Sequence, residues 1–304
     1  MRRVLLATAP CIAGAVYFFG WRCLALLLCA CTVGFLTELV FCRRRGEPVS
    51  EAVFVTAVLY TLALPPSVPW HVLIVGTLFA VVFAKEVFGG FARNVFNPAL
   101  AGRCFVYVCF PVALTARWAP AAEGPLGALT RWTTLAGPDA VTAATPLALV
   151  KAGARAAPSA TTLLLGRLSG TMGVTSALLI LVGGLYLLWT KTASRRIVLS
   201  VVLAYALLNQ LLHSLGVAPV PSAATAVLGG GFLFGACFMA TDPVSAAKTP
   251  LGRVLYGVLI AVFTVVIRNF SVFNGGLMFA ILLANMFAPI IDHAARARGR
   301  RAPA

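Results

Sequence analysis

The sequence predicts an all-α integral membrane protein of about ten transmembrane helices, arranged as two inverted five-helix repeats, and three observations predict it. Hydrophobic residues make up 61% of the 304 and charged residues 11%, with a mean hydropathy of +0.96. That is more apolar surface than a water-soluble domain hides. Several apolar runs approach or exceed the roughly 20 residues a spanning helix needs, among them 4–20, 21–41, 70–88 and 197–215. The basic residues, finally, segregate to alternate connections, which is the signature of a polytopic topology.

The first run, 4–20, follows Arg2 and Arg3 and continues straight into 21–41 with no small-residue cleavage site, so it reads as the first membrane helix and not as a leader. Three more apolar segments follow at 51–64, 70–88 and 97–117. A loop over 118–175, rich in Ala, Gly, Pro and Thr, separates them from a second set at 176–190, 196–215, 224–240, 254–268 and 275–292. A connection of that length inside a compact architecture points to function. The organisation expected is therefore a first five-helix half (1–117), an extracytoplasmic loop (118–175), a second five-helix half (176–292) and a basic cytoplasmic tail (293–304).

The net charge of +16 invites a nucleic-acid reading, and its distribution excludes it. With a cytoplasmic N-terminus and ten spans, 16 of the 24 Lys and Arg residues fall on the cytoplasmic side: Arg2, Arg3, Arg43 to Arg45, Lys85, Arg93, Lys191, Arg195, Arg196, Lys248, Arg253, Arg296, Arg298, Arg300 and Arg301. Arg22, Arg117, Arg131, Lys151, Arg155, Arg167 and Arg268 fall outside, and Arg103 falls within a span near its inner end. The charge reports topology: a multi-pass membrane protein, in contact with lipid, with both termini cytoplasmic. The eight cysteines lie in or beside apolar segments and form no CxxC pair, which fits small apolar packing residues and no metal site. His71, His213 and His293 have no metal-ligand spacing.

An odd number of helices per half would invert one half relative to the other, an arrangement common in transport proteins. The third segment ends at Pro65-Pro66 and the eighth at Asp242-Pro243, and an Asn follows about 31 residues later in each half, at Asn97 and Asn274. Proline ends helices because it lacks an N–H and clashes with the preceding turn. Paired breaks of this kind point to a midplane site.

The segment DAVTAAT, Asp139 to Thr145, places hydroxyls at Thr142 and Thr145 among small residues with room for a bulky group. By spacing alone, Thr145-Pro146 is equally a helix cap followed by a proline at the first helical position. The Gly166–Gly173 run offers backbone N–H groups that suit an anion, or serves as a flexible turn. Within the spans, Glu38 is a candidate cation contact or a partner of Arg43 to Arg45. Asp242 is a candidate ligand for an ion or another bound group, or a cap, and Asn97 is a further candidate or the start of the fifth helix.

Taken in order, Lys85-Glu86, Gly89-Gly90, Asn94-Val-Phe-Asn97-Pro98-Ala99 with Gly102-Arg103, DAVTAAT with Pro146-Leu147-Ala148, the Gly166–Gly170–Gly173 run with Thr175-Ser176-Ala177, and Phe238-Met-Ala-Thr241-Asp242-Pro243-Val244-Ser245 resemble the RnfD/NqrB family. Tyr256-Gly257, Ile267-Arg268 and the Ala280, Asn285, Ala288-Pro289 set extend the likeness over most of the chain. The resemblance implies a subunit of a multi-subunit ion-translocating oxidoreductase that relays electrons between ferredoxin or flavodoxin and NAD, coupled to Na⁺ or H⁺ movement. It implies FMN joined through a phosphoester to Thr145, with Asp139 and Thr142 in the same pattern. It also implies attachment by a separate flavin transferase, other membrane and peripheral subunits as partners, and room for a second, noncovalent flavin such as riboflavin. Ala143 stands where Gly is usual and Val174 where Glu often follows Gly173. The short N-terminal stretch favours RnfD, with the NqrB subunit of the Na⁺-translocating NADH:quinone reductase as the alternative. A flavin-free secondary transporter or channel is the alternative of another class.

Overall fold

A computed structural model describes residues 1–116, 118–122, 124–133, 159–271, 273 and 275–301, the side chains of the last three excepted. Asp139, Thr142, Ala143 and Thr145 lie outside the described residues, as does Asn274. All regular structure among the described residues is helical. Helices α1 (Arg2–Phe19), α2 (Arg22–Arg45), α3 (Ala52–Leu62), α4 (Trp70–Val81), α5 (Pro98–Cys109) and α6 (Pro111–Thr115) precede the undescribed part of the loop. After it come α7 (Ala160–Leu165), α8 (Ala177–Trp189), α9 (Arg195–Ser214), α10 (Ala223–Leu228), α11 (Phe232–Phe234), α12 (Pro250–Phe270) and α13 (Gly276–Arg301).

Among the described residues, five stretches are long and apolar enough to cross a membrane: Arg2–Phe19, Arg22–Arg45, Arg195–Ser214, Pro250–Phe270 and Gly276–Arg298. Helices α3, α5 and α8 are apolar but shorter. The apolar runs of the sequence thus became helices, with two departures. The run 97–117 divides at Phe110-Pro111, because Pro111 cannot donate into the turn before it. The run 224–240 divides at Gly229–Gly231, where Gly230 and Gly231 take φ of 60° and 74°, a left-handed backbone that glycine accepts without a Cβ clash. The last helix also runs past residue 292 to Arg301, through residues expected as a separate tail.

Helix ends and breaks leave carbonyls inside an apolar body, where each must find a donor. At the end of α3, the Leu62 and Leu64 carbonyls accept from the Gly173 and Met172 N–H groups at 2.8 and 2.9 Å. Beyond them, the buried Arg22 guanidinium donates to Pro66 O and, at 2.8 Å, to Val68 O. At the α10–α11 break, buried Arg268 donates to Ala226 O at 3.2 Å and Gly229 O at 2.6 Å, and to the Tyr205 hydroxyl at 3.0 Å. Arg22 and Arg268, read in the sequence as charges marking the outer side, thus close gaps in the backbone hydrogen bonding.

Several contacts join the helices before the loop to those after it, among them Tyr107 of α5 against Phe279 of α13. Helix α1 packs on α8 through Gly183, whose missing Cβ lets the Ala7 carbonyl approach the α8 backbone. Near the start of α5, the Asn97 side-chain amide donates to Met239 O at 3.1 Å. The first part of the loop lies over the α1–α2 corner, with Ala122 and Ala128 N–H groups donating to Phe18 O and Tyr17 O at 2.8 and 2.7 Å.

Candidate functional site

A cavity of about 380 Å³ lies where the two ends of the long loop meet the helices. That volume falls in the range of small-molecule sites. Leu114, Thr115 and Trp118 line it from the chain entering the loop, and Leu163, Ser169, Thr171 and Thr175 line it from the chain leaving it. Arg103 on α5 and Arg268 on α12 bring two cations to its wall, with Leu100, Phe234, Met278 and Ile281 supplying apolar surface. Loop residues thus meet residues from α5, α11, α12 and α13, which no stretch of sequence places together.

The Gly166–Gly173 run, where the sequence suggested an anion receptor or a turn, forms part of this wall. Gly166 ends α7 at φ 85°, and its absent Cβ would strike Ser176, so the chain folds back tightly at that point. The Ser176 hydroxyl holds the turn by donating to Leu164 O at 2.9 Å. Backbone N–H groups from 167 to 171 have no backbone acceptor among the described residues. Val174, where the resemblance makes Glu usual, presents a valine side chain to the cavity and packs on Gly231.

Asn97 and Asp242 come to one neighbourhood, while Glu38 belongs to another. Asn97 caps α5, its side-chain oxygen accepting from Ala99 and Leu100 N–H at 3.1 and 3.3 Å. Its bond to Met239 O ties that cap to a wider π turn, Gly235–Met239, that continues α11 just ahead of Asp242. Asp242 accepts from Val244 N–H at 3.1 Å and Ser245 Oγ at 2.9 Å, so its carboxylate folds onto the segment that follows it. Beside them the Asn285 amide meets the Tyr256 hydroxyl at 2.6 Å, and with its nitrogen turned to that hydroxyl its oxygen accepts from Asn97 N–H at 3.1 Å.

Glu38 sits in a charge cluster of its own. The partners the sequence suggested, Arg43 to Arg45, are not the ones it has: one helical turn or more separates them along α2, whereas Lys85 reaches Glu38 from the π turn Val82–Glu86 at the end of α4. The Lys85 ammonium lies 2.5 Å from Glu38 Oε2 and 3.3 Å from Ser50 Oγ. Ser50 N–H in turn donates to Glu38 Oε1 at 3.2 Å. Arg45 pairs instead with the buried Glu86 and with Glu47. Among the described residues, no group of three or more His, Cys, Asp or Glu side chains is placed to hold a metal ion.

A family model described as NQR2, RnfD, RnfE matches residues 1–300. The chain is 40% identical over 292 residues to the B component of the Na(+)-translocating NADH-quinone reductase of Pseudomonas aeruginosa, covering 93% of this chain and 68% of that one. It is 41% identical over 291 residues to the same component from Chromohalobacter salexigens, covering 93% and 66%. To the D component of the ion-translocating oxidoreductase complex of Halorhodospira halophila it is 34% identical over 323 residues, covering 98% and 90%. The chain belongs to the NQR2, RnfD, RnfE family.

Proposed function

We propose that this chain is a flavin-bearing membrane subunit of an ion-translocating electron-transport complex, with FMN joined by a phosphoester to Thr145. The observation that carries the reading is the cavity between the two ends of the loop that bears Thr145, with a guanidinium in its wall that has no partner among the described residues. A group tethered to that loop has the cavity within the compass of its anchors, and the mixture of apolar wall, hydroxyls and cation suits a flavin nucleotide. FMN would supply electron carriage. The chain's own contribution is position: Thr145 tethers, the turn at 167–171 offers N–H groups to the phosphate, and the helices exclude water from the ring. In the attachment itself, performed by a transferase with FAD as donor, the Thr145 oxygen forms a bond to the flavin-side phosphorus. The pyrophosphate bond breaks, AMP leaves, and the hydroxyl proton passes to a base on the transferase.

The same reading gives ten spans in two inverted five-helix halves about the 118–175 loop, both termini cytoplasmic, in a bacterial inner membrane beside partner subunits. Helices α3 and α8 and the broken α10–α11 run then serve as short spans whose ends are completed by loop and arginine contacts. Asp139 and Thr142 complete the attachment segment, while Asn97 and Asp242 hold the seam between the halves. Ferredoxin or flavodoxin and NAD are the redox partners, with Na⁺ or H⁺ as the coupled ion. A second reading, a subunit of NADH:quinone reductase type, is favoured by the identity of 40–41% to the quinone-reductase relatives against 34% to the relative from the ion-translocating oxidoreductase complex.

The test is to co-express the chain with a flavin transferase, denature it and look for flavin fluorescence in the gel band. A fluorescent band that disappears in Thr145→Ala supports the proposal. A wild-type chain with no band, or a band undiminished in Thr145→Ala, contradicts it. Assaying the assembled complex with quinone and with ferredoxin as alternative partners separates the two readings.

A further inference from the structure

Resting on the reading that FMN is tethered at Thr145, we propose that Arg103 is the positioning residue for the flavin ring, and that its charge favours the reduced form of the flavin. The buried cations in the fold have acceptors, whereas Arg103 is partly buried. Arg22 has two carbonyls, Lys85 has Glu38 and Ser50, and Arg268 has two carbonyls and a hydroxyl. Arg103 has no ion pair or hydrogen bond with any described residue, and its Nε is fully buried without a partner.

Arginine stays protonated in proteins. A guanidinium held in an apolar body without a counter-charge or acceptors is strongly unfavourable, and such groups persist where a partner completes them. Arg103 lines the cavity together with Arg268, whose donors are already committed to the α10–α11 break, so a group in the cavity would meet the Arg103 guanidinium.

The cavity wall carries two unlike sets of groups. The 167–171 turn, whose N–H groups have no backbone acceptor among the described residues, brings the Ser169 and Thr171 hydroxyls, with Thr175 close behind, and these suit the phosphate of a group tethered to the adjoining loop. Arg103 stands on α5 one turn after Leu100, with Tyr107 in the same wall. That part of the wall suits a flat, largely apolar ring with an electron-rich oxygen and nitrogen edge. A cation beside that edge stabilises the negative charge that reduction adds, so Arg103 raises the midpoint potential.

The test uses the full-length chain co-expressed with a flavin transferase and purified in detergent, as wild type, Arg103→Met and Arg103→Lys, and each again in a flavin-free Thr145→Ala background. The fluorescent gel band is expected in both Arg103 variants. The midpoint potential of Arg103→Met is expected to fall by at least the tenfold loss of preference for reduced flavin, about 30 mV for a two-electron couple, with Arg103→Lys recovering most of it. In thermal unfolding, Arg103→Met is expected to stabilise the flavin-free chain, because it removes a guanidinium whose buried Nε lacks an acceptor, and to destabilise the loaded one. A structural role alone would lower stability in both states, and that result overturns the proposal. So does an unchanged potential with the band intact, or a band lost in Arg103→Met while its flavin-free form stays folded, which would assign Arg103 to the phosphate. Absence of flavin from the wild-type chain overturns the Thr145 reading and this one with it.

Discussion

The Lys85 ammonium lies 2.5 Å from Oε2 of Glu38, and with both side chains almost wholly buried the pair ties the C-terminal part of α2 to the π turn that ends α4. Removing one member strands the other as a buried charge, which costs about 3–5 kcal/mol. Glu38→Gln and Lys85→Met are each expected to lower the unfolding free energy in detergent by that much. The double replacement Glu38→Leu with Lys85→Met removes both charges and is expected to return to within about 1 kcal/mol of wild type or above it. A double-mutant cycle by thermal or denaturant unfolding checks this, and additive losses would show that the pair does not couple.

Arg268 is expected to be the costliest single truncation in the second half of the chain. Its guanidinium serves Ala226 O, Gly229 O and the Tyr205 hydroxyl, so Arg268→Met leaves two buried backbone carbonyls without donors. Each unsatisfied group costs about 1–3 kcal/mol. Tyr205→Phe removes one acceptor and leaves the guanidinium its two carbonyls, so a loss of about 1 kcal/mol is expected. Unfolding followed by tryptophan fluorescence measures both, and equal losses would contradict the assignment.

Gly183 should tolerate no larger residue. A Cβ there would collide with the Ala7 carbonyl and come within 2.9 Å of Phe238 Cζ, forcing α1 and α8 apart. Gly183→Ala is expected to destabilise the chain by about 1–3 kcal/mol as an overpacked contact. Gly275→Ala, where nothing lies within 4 Å of the added methyl, is expected to stay within about 0.5 kcal/mol of wild type. Thermal unfolding of the two variants side by side decides it.

Much of the helical layout was legible in the residues. Uninterrupted apolar runs such as 196–215 and 254–268 became α9 and α12 to within a few residues, because burial and the lack of water leave the backbone no alternative to helix. Proline marked the end of α3, since it cannot continue the helical hydrogen bonding. What stayed hidden were relations between distant residues. Lys85 and Glu38 are 47 positions apart, and a sequence names two opposite charges without saying that they meet. Arg22 and Arg268 read as outer-side charges because their acceptors are carbonyls, which every residue carries and no sequence pattern marks. The split at Gly229–Gly231 was signalled only by the glycine run itself. For the candidate site, DAVTAAT and Gly166–Gly173 were visible as motifs, whereas the cavity was not, since its wall draws on residues from Ala63 to Ile281.

The covalent linkage is tested most directly on one peptide. Trypsin should release residues 132–151 between Arg131 and Lys151, which contains Thr133, Thr134, Thr142 and Thr145. After co-expression with a flavin transferase, fragment-ion mass spectrometry of this peptide is expected to show the added mass of FMN less water on Thr145. An unmodified peptide, or the added mass on Thr142 or another residue, would contradict the account.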